Sequence, residues 1–316
     1  MKKNLHVFLG ATVADAAARP LHWVYNQKKL NSYIKNKKDF TFLKRNKSPF
    51  YNIKTGKVSA YNDVGQVMLK SLVKKPANVK KTFKKNIVKH FGPGSDYWRN
   101  LKARLKYRKI KDWRGLIKGP WIHQNIIDTI SNIKKNKKTT GGIKVHESDG
   151  FCAALPYYLY NDKIVHIKNI IAIVARSKIS IKYGMAKIHL IDIALNGHAN
   201  PIDYFLRKYK FNTYYSDVIK GIKMVKRNKF KSHNKMVKKL GITCRYPGTF
   251  LSSIHAIITS NSYKSAILKT IRAGGCNCSR SNFVGAYFAA IHGLSSIPTK
   301  WISKCVYSKN ILKVSK

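Results

Sequence analysis

Acidic side chains are nearly missing from this sequence. Twelve Asp and Glu face 63 Lys and Arg, and Glu147 is the single glutamate. The resulting formal charge of +51 says little about fold, but it predicts attraction to polyanions and self-repulsion at low salt. Two readings of it stay open. One is a surface that binds nucleic acid or another acidic polymer through phosphates; the other is compositional drift toward lysine. The basic residues are mostly Lys rather than Arg, whose planar fork suits bidentate readout, and they are spread along the whole chain. Cysteine is sparse and odd in number, at 152, 244, 276, 278 and 305, which excludes a secreted disulfide framework. No apolar run reaches the ~18 residues of a membrane span. The chain is therefore expected to be soluble and intracellular, cytoplasmic or nuclear, with no membrane partner. No Gly/Ser- or Pro-rich linker and no fixed-period repeat divides it. Residues 1–316 read as a single domain with its core over about 6–305.

Helical periodicity is what the sequence has in quantity. In 79–91, Val79, Phe83, Ile87, Val88 and Phe91 recur at helical spacing between lysines, and 121–133 repeats the pattern. Stretches 163–176 and 180–195 are apolar on a broad face, as interior helices are. Gly197 and then Pro201 mark a stop and a new start. Helices follow over 201–209, 214–227, 247–259, 263–272 and 280–292, with a last short one after Pro298. Strand signals are few: 38–60 reads as a short hairpin or an irregular loop, and Lys134–Lys138 with Gly141-Gly142 as a solvated loop. The expected fold is all-α, with about a dozen helices of ordinary length. The basic head and apolar stretch of residues 1–18 imitate a secretory signal, but His6 and Asp15 interrupt it.

Four motifs carry candidate chemistry. Gly10-Ala-Thr-Val-Ala-Asp-Ala-Ala-Ala-Arg-Pro-Leu-His-Trp23 sets Asp15 among small residues that admit close backbone. A lone buried carboxylate of this kind is more often a hydrogen-bond acceptor than a catalyst. Ser59-Ala-Tyr-Asn-Asp-Val-Gly-Gln-Val-Met68 places Asn62 or Asp63 where it would cap a helix. His146-Glu-Ser-Asp-Gly-Phe-Cys-Ala-Ala-Leu-Pro156 puts two of the twelve acids, Glu147 and Asp149, within three residues. In Gly274-Gly-Cys-Asn-Cys-Ser279 a Gly-Gly turn opens a helix, whose N-terminus lowers thiol pKa and attracts anions. Cys-x-Cys alone is a weak metal signal, since structural zinc sites show four ligands at paired spacings.

With Ala273-Gly-Gly-Cys-Asn-Cys-Ser-Arg-Ser-Asn-Phe-Val-Gly-Ala286, these motifs resemble the ADP-ribosylglycohydrolase/J1-crystallin superfamily over about residues 6–305. Thr243–Ala256 and Ile297–Trp301 are closer to the J1-crystallin branch. The resemblance implies a compact multi-helix fold of the ADP-ribosylglycohydrolase type. It also implies two magnesium ions held by the second and last motifs, with ADP-ribose bound over them. Matched residue by residue, Asn62, Asp63 and Val64 stand at the Thr-Asp-Asp positions, and Cys276, Cys278 and Ser279 at Asp, Asp and Ser/Thr. His22 stands where hydrolases carry an acid. The implied metal site is thus Asp63 and Ser279, degenerate with Asn62, Cys276 and Cys278. Asp15, His22 and Asp149 are the catalytic candidates, and Asp149, Gly150, Gly274 and Gly275 the ligand-binding ones.

Magnesium takes oxygen ligands in near-octahedral geometry. Valine cannot coordinate, and thiolates are soft donors suited to zinc or copper(I). Magnesium-dependent hydrolysis is therefore expected to be lost. Three readings follow from this. The chain is a non-catalytic, J1-crystallin-like relative that keeps an ADP-ribose-like pocket. Or its site is rebuilt, with Cys276, Cys278, Asp63 and His22 converging on zinc or forming a thiol centre. Or it is a module binding RNA, DNA or ADP-ribose polymer through its basic surface.

Overall fold

The computed structural model describes residues 4–107, 109–110, 118–161 and 164–315. Met1–Lys3 of the signal-like head and Lys163, the first residue of the stretch 163–176, lie outside the described residues. Seventeen helices are present among them. The first half holds α1 (Leu5–Ala18), α2 (Gln27–Ile34), α3 (Ala60–Val73), α4 (Val79–Phe91), α5 (Asp96–Tyr107), α6 (Gln124–Lys134), α7 (Asp149–Asn161), α8 (Ile167–Val174) and α9 (Lys178–Leu195). The second holds α10 (Pro201–Lys208), α11 (Ser216–Arg227), α12 (His233–Leu240), α13 (Gly248–Ile258), α14 (Tyr263–Arg272), α15 (Asn277–His292), α16 (Thr299–Lys304) and α17 (Ser308–Ser315).

The count exceeds a dozen because short, lysine-rich helices carry almost no apolar period. α2 buries only Leu30 and Ile34, and α17 only Ser308 and Ile311.

The axis of the molecule is the crossing of α1 on α15. Every residue of α1 except His6 is buried, as befits a helix that is apolar nearly all round. Glycines let the two backbones touch. A Cβ at Gly10 would lie 2.7 Å from the Gly285 carbonyl oxygen, and one at Gly285 would lie 2.5 Å from that of Gly10. Tyr263 Oη donates to the same Gly10 carbonyl at 2.6 Å, locking α14 onto the pair. α3, α7 and α13 pack around this axis, and one apolar cluster runs from Leu5 to Ile311.

Several expectations are corrected. Ser59, not Asn62 or Asp63, precedes α3, so Asp63 sits inside its first turn. α15 opens at Asn277, three residues before 280, because Cys276 ends the Gly-Gly turn. Residues 38–60 form no hairpin; a single bridge, Asn52 to Gly119, is their only sheet-like pairing among the described residues. The buried Arg19 holds this segment instead. Its guanidinium donates to the Lys57 and Lys54 carbonyls at 3.0 and 3.1 Å and to Asn46 Oδ1 at 2.9 Å. Residues 135–139 are exposed as expected, but Gly141 and Gly142 are buried beneath the end of α8. Gly142 N–H donates to the Val174 carbonyl at 3.0 Å, and a Cβ at Gly141 would lie 2.3 Å from the Ala172 carbonyl oxygen.

Candidate functional site

The first turn of α3 sends consecutive side chains in different directions, since each residue turns the helix by roughly 100°. Tyr61 points to the centre of the site and is fully buried. Its hydroxyl donates to Glu147 Oε2 at 2.9 Å and lies 3.8 Å from Cys276 Sγ. Its ring sits 4.0 Å, centroid to centroid, from that of His123. His123, just ahead of α6, places Nδ1 2.6 Å from Asp149 Oδ1, and Asn125 Nδ2 donates to Asp149 Oδ2 at 3.0 Å. The ligand atoms of His123, Glu147 and Asp149 lie within 4.8 Å of one another, the only such His/Cys/Asp/Glu group among the described residues.

Facing this cluster is a thiol pair. The loop pinned by Arg19 delivers Tyr51, whose hydroxyl is 2.8 Å from His22 Nδ1; His22 Nε2 is 3.4 Å from Cys276 Sγ. Trp23 stacks on His22 at 4.2 Å, and its indole N–H donates to Cys244 Sγ at 3.2 Å. The Gly274-Gly275 turn supplies backbone rather than an open anion cradle. Trp23 N–H donates to the Gly275 carbonyl at 2.8 Å, Gly275 N–H to that of Val24 at 2.9 Å, and Cys276 N–H to that of Ile242 at 3.0 Å. Both glycines have positive φ, and a Cβ at Gly275 would lie 2.3 Å from the Ile242 carbonyl oxygen. Gly150 likewise serves packing, since a Cβ there would lie 2.6 Å from Ile171 Cγ2.

Burial governs the electrostatics. It pushes the Glu147 carboxyl up to about 7, with the neighbouring Asp149 charge adding to the effect. In His123 burial opposes protonation, but the charge and hydrogen bond of Asp149 outweigh it and raise the imidazole pKa. His22 is held below the usual range by burial, so its neutral form is favoured. The two thiols of the Cys-x-Cys motif part company, contrary to the expectation that both favour thiolate. Burial resists ionisation of Cys276, yet its hydrogen bond with Cys244 and its contact with His22 hold it well below the ordinary range. Cys278 is driven well above it by burial, with the Asp15 charge adding. Its thiol donates instead to the Asp15 main-chain carbonyl at 3.8 Å.

The remaining residues of the expected metal site do not gather around Cys276. Asp63 turns to other partners: Oδ2 accepts from Tyr97 Oη at 2.7 Å and lies 2.8 Å from His90 Nε2, beside a 290 Å³ cavity bordered by Lys54, Lys57 and Tyr307. Val64 is in the core. Asn62 Nδ2 donates to Asn282 Oδ1 at 2.8 Å, and Ser279 Oγ donates to the Cys276 carbonyl at 2.9 Å. Cys276, Cys278, Asp63 and His22 therefore form no four-donor group; only His22 and Cys276 meet. Asp15 is an acceptor for Ser59 and Asn282. The donor set at the matched positions does not fit magnesium, which needs several oxygens at ~2.0–2.1 Å. His123, Glu147 and Asp149 offer one nitrogen and two carboxylates, a set zinc accepts.

Nothing in the sequence marks Tyr61, His123 or Cys244 as site residues. Tyr61 and His123 lie at helix N-termini and Cys244 in the loop between α12 and α13, and only the meeting of distant segments selects them.

Comparison with known proteins agrees with this architecture. Crystallin J1A of Tripedalia cystophora is 27% identical over 320 residues, covering 96% of this chain and 92% of the crystallin. Crystallin J1B of the same organism is 25% identical over 311 residues, with the same coverage of 96% and 92%. A solved structure of an ADP-ribosylglycohydrolase-related protein complex shares the fold, with a TM-score of 0.64 at 13% identity over 99% of this chain and 95% of that one. No described helix is long and apolar enough to cross a membrane. The sequence profile of the ADP-ribosylglycohydrolases matches residues 2–316, and with it the helical array built on α1 and α15 has its place: this chain belongs to the ADP-ribosylglycohydrolase family.

Proposed function

We propose that the chain is a J1-crystallin-like member of the family that has given up magnesium-dependent ADP-ribosyl hydrolysis. The observation that carries this reading is the chemistry at the matched ligand positions. Val64, Cys276 and Cys278 are fully buried and offer no oxygen side chain, while Asp63 is engaged by Tyr97 and His90. Magnesium is a hard cation that takes oxygen ligands, so a site for two such ions needs several carboxylate or other oxygen donors. An ADP-ribose-like ligand remains the small molecule that family membership suggests. The test is incubation with ADP-ribosylated protein, with and without magnesium, beside an active family hydrolase. The expected result is no magnesium-stimulated release of ADP-ribose. Robust stimulated release by the wild-type chain would overturn the reading.

A second reading, a rebuilt centre, is favoured by one specific observation: the compact His123–Glu147–Asp149 group beside Tyr61. It predicts about one zinc per chain after metal-replete, reducing purification, and loss of most of it in Glu147→Gln. Elemental analysis decides the matter. Zinc absent from the wild type, or equal in both proteins, removes this reading.

A further inference from the structure

Two clefts adjoin at Arg272. One, of about 830 Å³, is bordered by Lys35, Lys37, Lys38 and Arg272. The next, of about 640 Å³, is bordered by Lys229, Lys231, Lys269 and again Arg272. No carboxylate lines either cleft among the described residues, and no ion pair between described residues involves these cations; the lysines that do pair with aspartate, Lys182 and Lys226, line neither cleft.

A deficit of acids is general in this chain, so positive charge alone would not distinguish the face. Two further features do. The turn after α11 is fixed by hydrogen bonds from Lys229 N–H to the Lys226 carbonyl and from Lys231 N–H to the Asn228 carbonyl. It presents Phe230, between two groove lysines, with 79% of its surface exposed. Below it, His233 lines the second cleft although only 5% of it is exposed, and its Nε2 has no hydrogen-bond partner. Its Nδ1 faces His255 Nδ1 at 3.1 Å. An exposed aromatic ring on a hydrogen-bonded turn, next in sequence to two cleft lysines, is the combination that can read a base face and its neighbouring phosphates together.

We propose that this groove binds single-stranded nucleic acid, with phosphates tracking from Lys37 and Lys38 past Arg272 to Lys229 and Lys231, and one base stacked on Phe230. The exposed ring decides the strandedness. A base within a duplex offers no free face to it, and polyphosphate offers no base. The site is separate from the Tyr61–Glu147–Cys276 centre and does not depend on the activity proposed above.

The test is fluorescence anisotropy with a labelled oligothymidylate over a range of salt, with duplex DNA and polyphosphate as competitors. Three variants are compared with the wild type. The first is Lys37→Gln/Lys38→Gln/Lys229→Gln/Lys231→Gln. The second is a charge-matched control on the exposed face of α4, Lys80→Gln/Lys81→Gln/Lys85→Gln/Lys89→Gln. The third is Phe230→Ala. The groove variant should lose at least about tenfold in affinity and lower the salt slope by about 3, at ~0.7 per phosphate contact on a single strand. The control should lose less than about threefold. Phe230→Ala should weaken the single strand at least about fivefold without changing the salt slope, as loss of one stacked base predicts. Equal losses in both quadruple variants, no effect of Phe230→Ala, or competition by duplex or polyphosphate as strong as by single strand would each overturn the proposal.

Discussion

Asp15→Ala should cost about 4 kcal/mol of stability at pH 5, at the upper end of what single substitutions do, and less as the pH rises to 7. The carboxylate joins three elements. Oδ1 accepts from Ser59 N–H at 2.6 Å, and Oδ2 accepts from Ser59 Oγ and from Asn282 Nδ2, both at 2.6 Å. Alanine would leave three buried donors without acceptors at the junction of α1, α3 and α15, each worth ~1–3 kcal/mol. Above about pH 6, where the carboxyl is ionised, part of that loss is offset because a buried charge is removed as well. Burial pushes the Asp15 carboxyl up to about 6 from 3.8, against the hydrogen bonds from Ser59 and Asn282 that pull it down. The folded state therefore binds more protons than the unfolded one between those values, and wild-type stability falls as pH rises through this window. The variant lacks that fall. The difference between the two proteins should shrink by about 1.4 kcal/mol between pH 5 and 7, corresponding to roughly one remaining pKa unit. Urea unfolding of both proteins at the two pH values measures it. An unchanged midpoint in Asp15→Ala, or a loss that grows with pH, contradicts this structural role and returns Asp15 to the list of catalytic candidates.

Lys187→Met should be more stable than the wild type at pH 6, by on the order of 2 kcal/mol, and should lose that advantage in alkali. Lys187 is fully buried on α9. Its Nζ donates to Ser148 Oγ at 3.0 Å and faces the rings of Phe151, Tyr246 and Phe283 at 4.8, 4.9 and 5.4 Å. Those ring faces favour the ammonium, but burial opposes it more strongly and brings the pKa down from 10.5 to about 7. Below pH 7 the amine is charged in both states, and the fold bears the whole cost of burying it. Above pH 7 the folded protein releases a proton that the unfolded chain keeps until about 10.5, so wild-type stability rises with pH. Relative to Lys187→Met the slope should be about 1.4 kcal/mol per pH unit between pH 7.5 and 10, one proton's worth. Parallel pH–stability curves for the two proteins would show that Lys187 keeps its ordinary pKa.

Much of the fold could be read directly from the residues. The spacing in 79–91 and 180–195 predicts α4 and α9 because apolar side chains recur once per helical turn whatever surrounds them. The small-residue run around Asp15 and the Gly285-Ala286 pair foreshadow the α1–α15 contact, since only residues without bulk let backbones approach this closely. The scarcity of oxygen donors at the matched positions can likewise be read from sequence: valine and cysteine carry no oxygen side chain in any fold. The short helices α2 and α17 were not legible, because one or two buried positions make no period, and their stability comes from the neighbours they dock against.

The site itself was decided by tertiary structure. Tyr61 and Asp63 belong to one motif, but two residues on a helix stand roughly 200° apart. One therefore meets Glu147 and Cys276, while the other meets Tyr97 and His90. His22 and Cys276 are 254 residues apart in sequence and 3.4 Å apart in space. Cys276 and Cys278 share one Gly-Gly turn, yet only the former reaches His22 and Cys244, so their pKa values move in opposite directions. Periodicity and donor chemistry are local and can be read from the chain. Which polar groups share a buried space, and hence which carry charge there, depends on distant segments arriving together, because burial and the nearest partner set that balance.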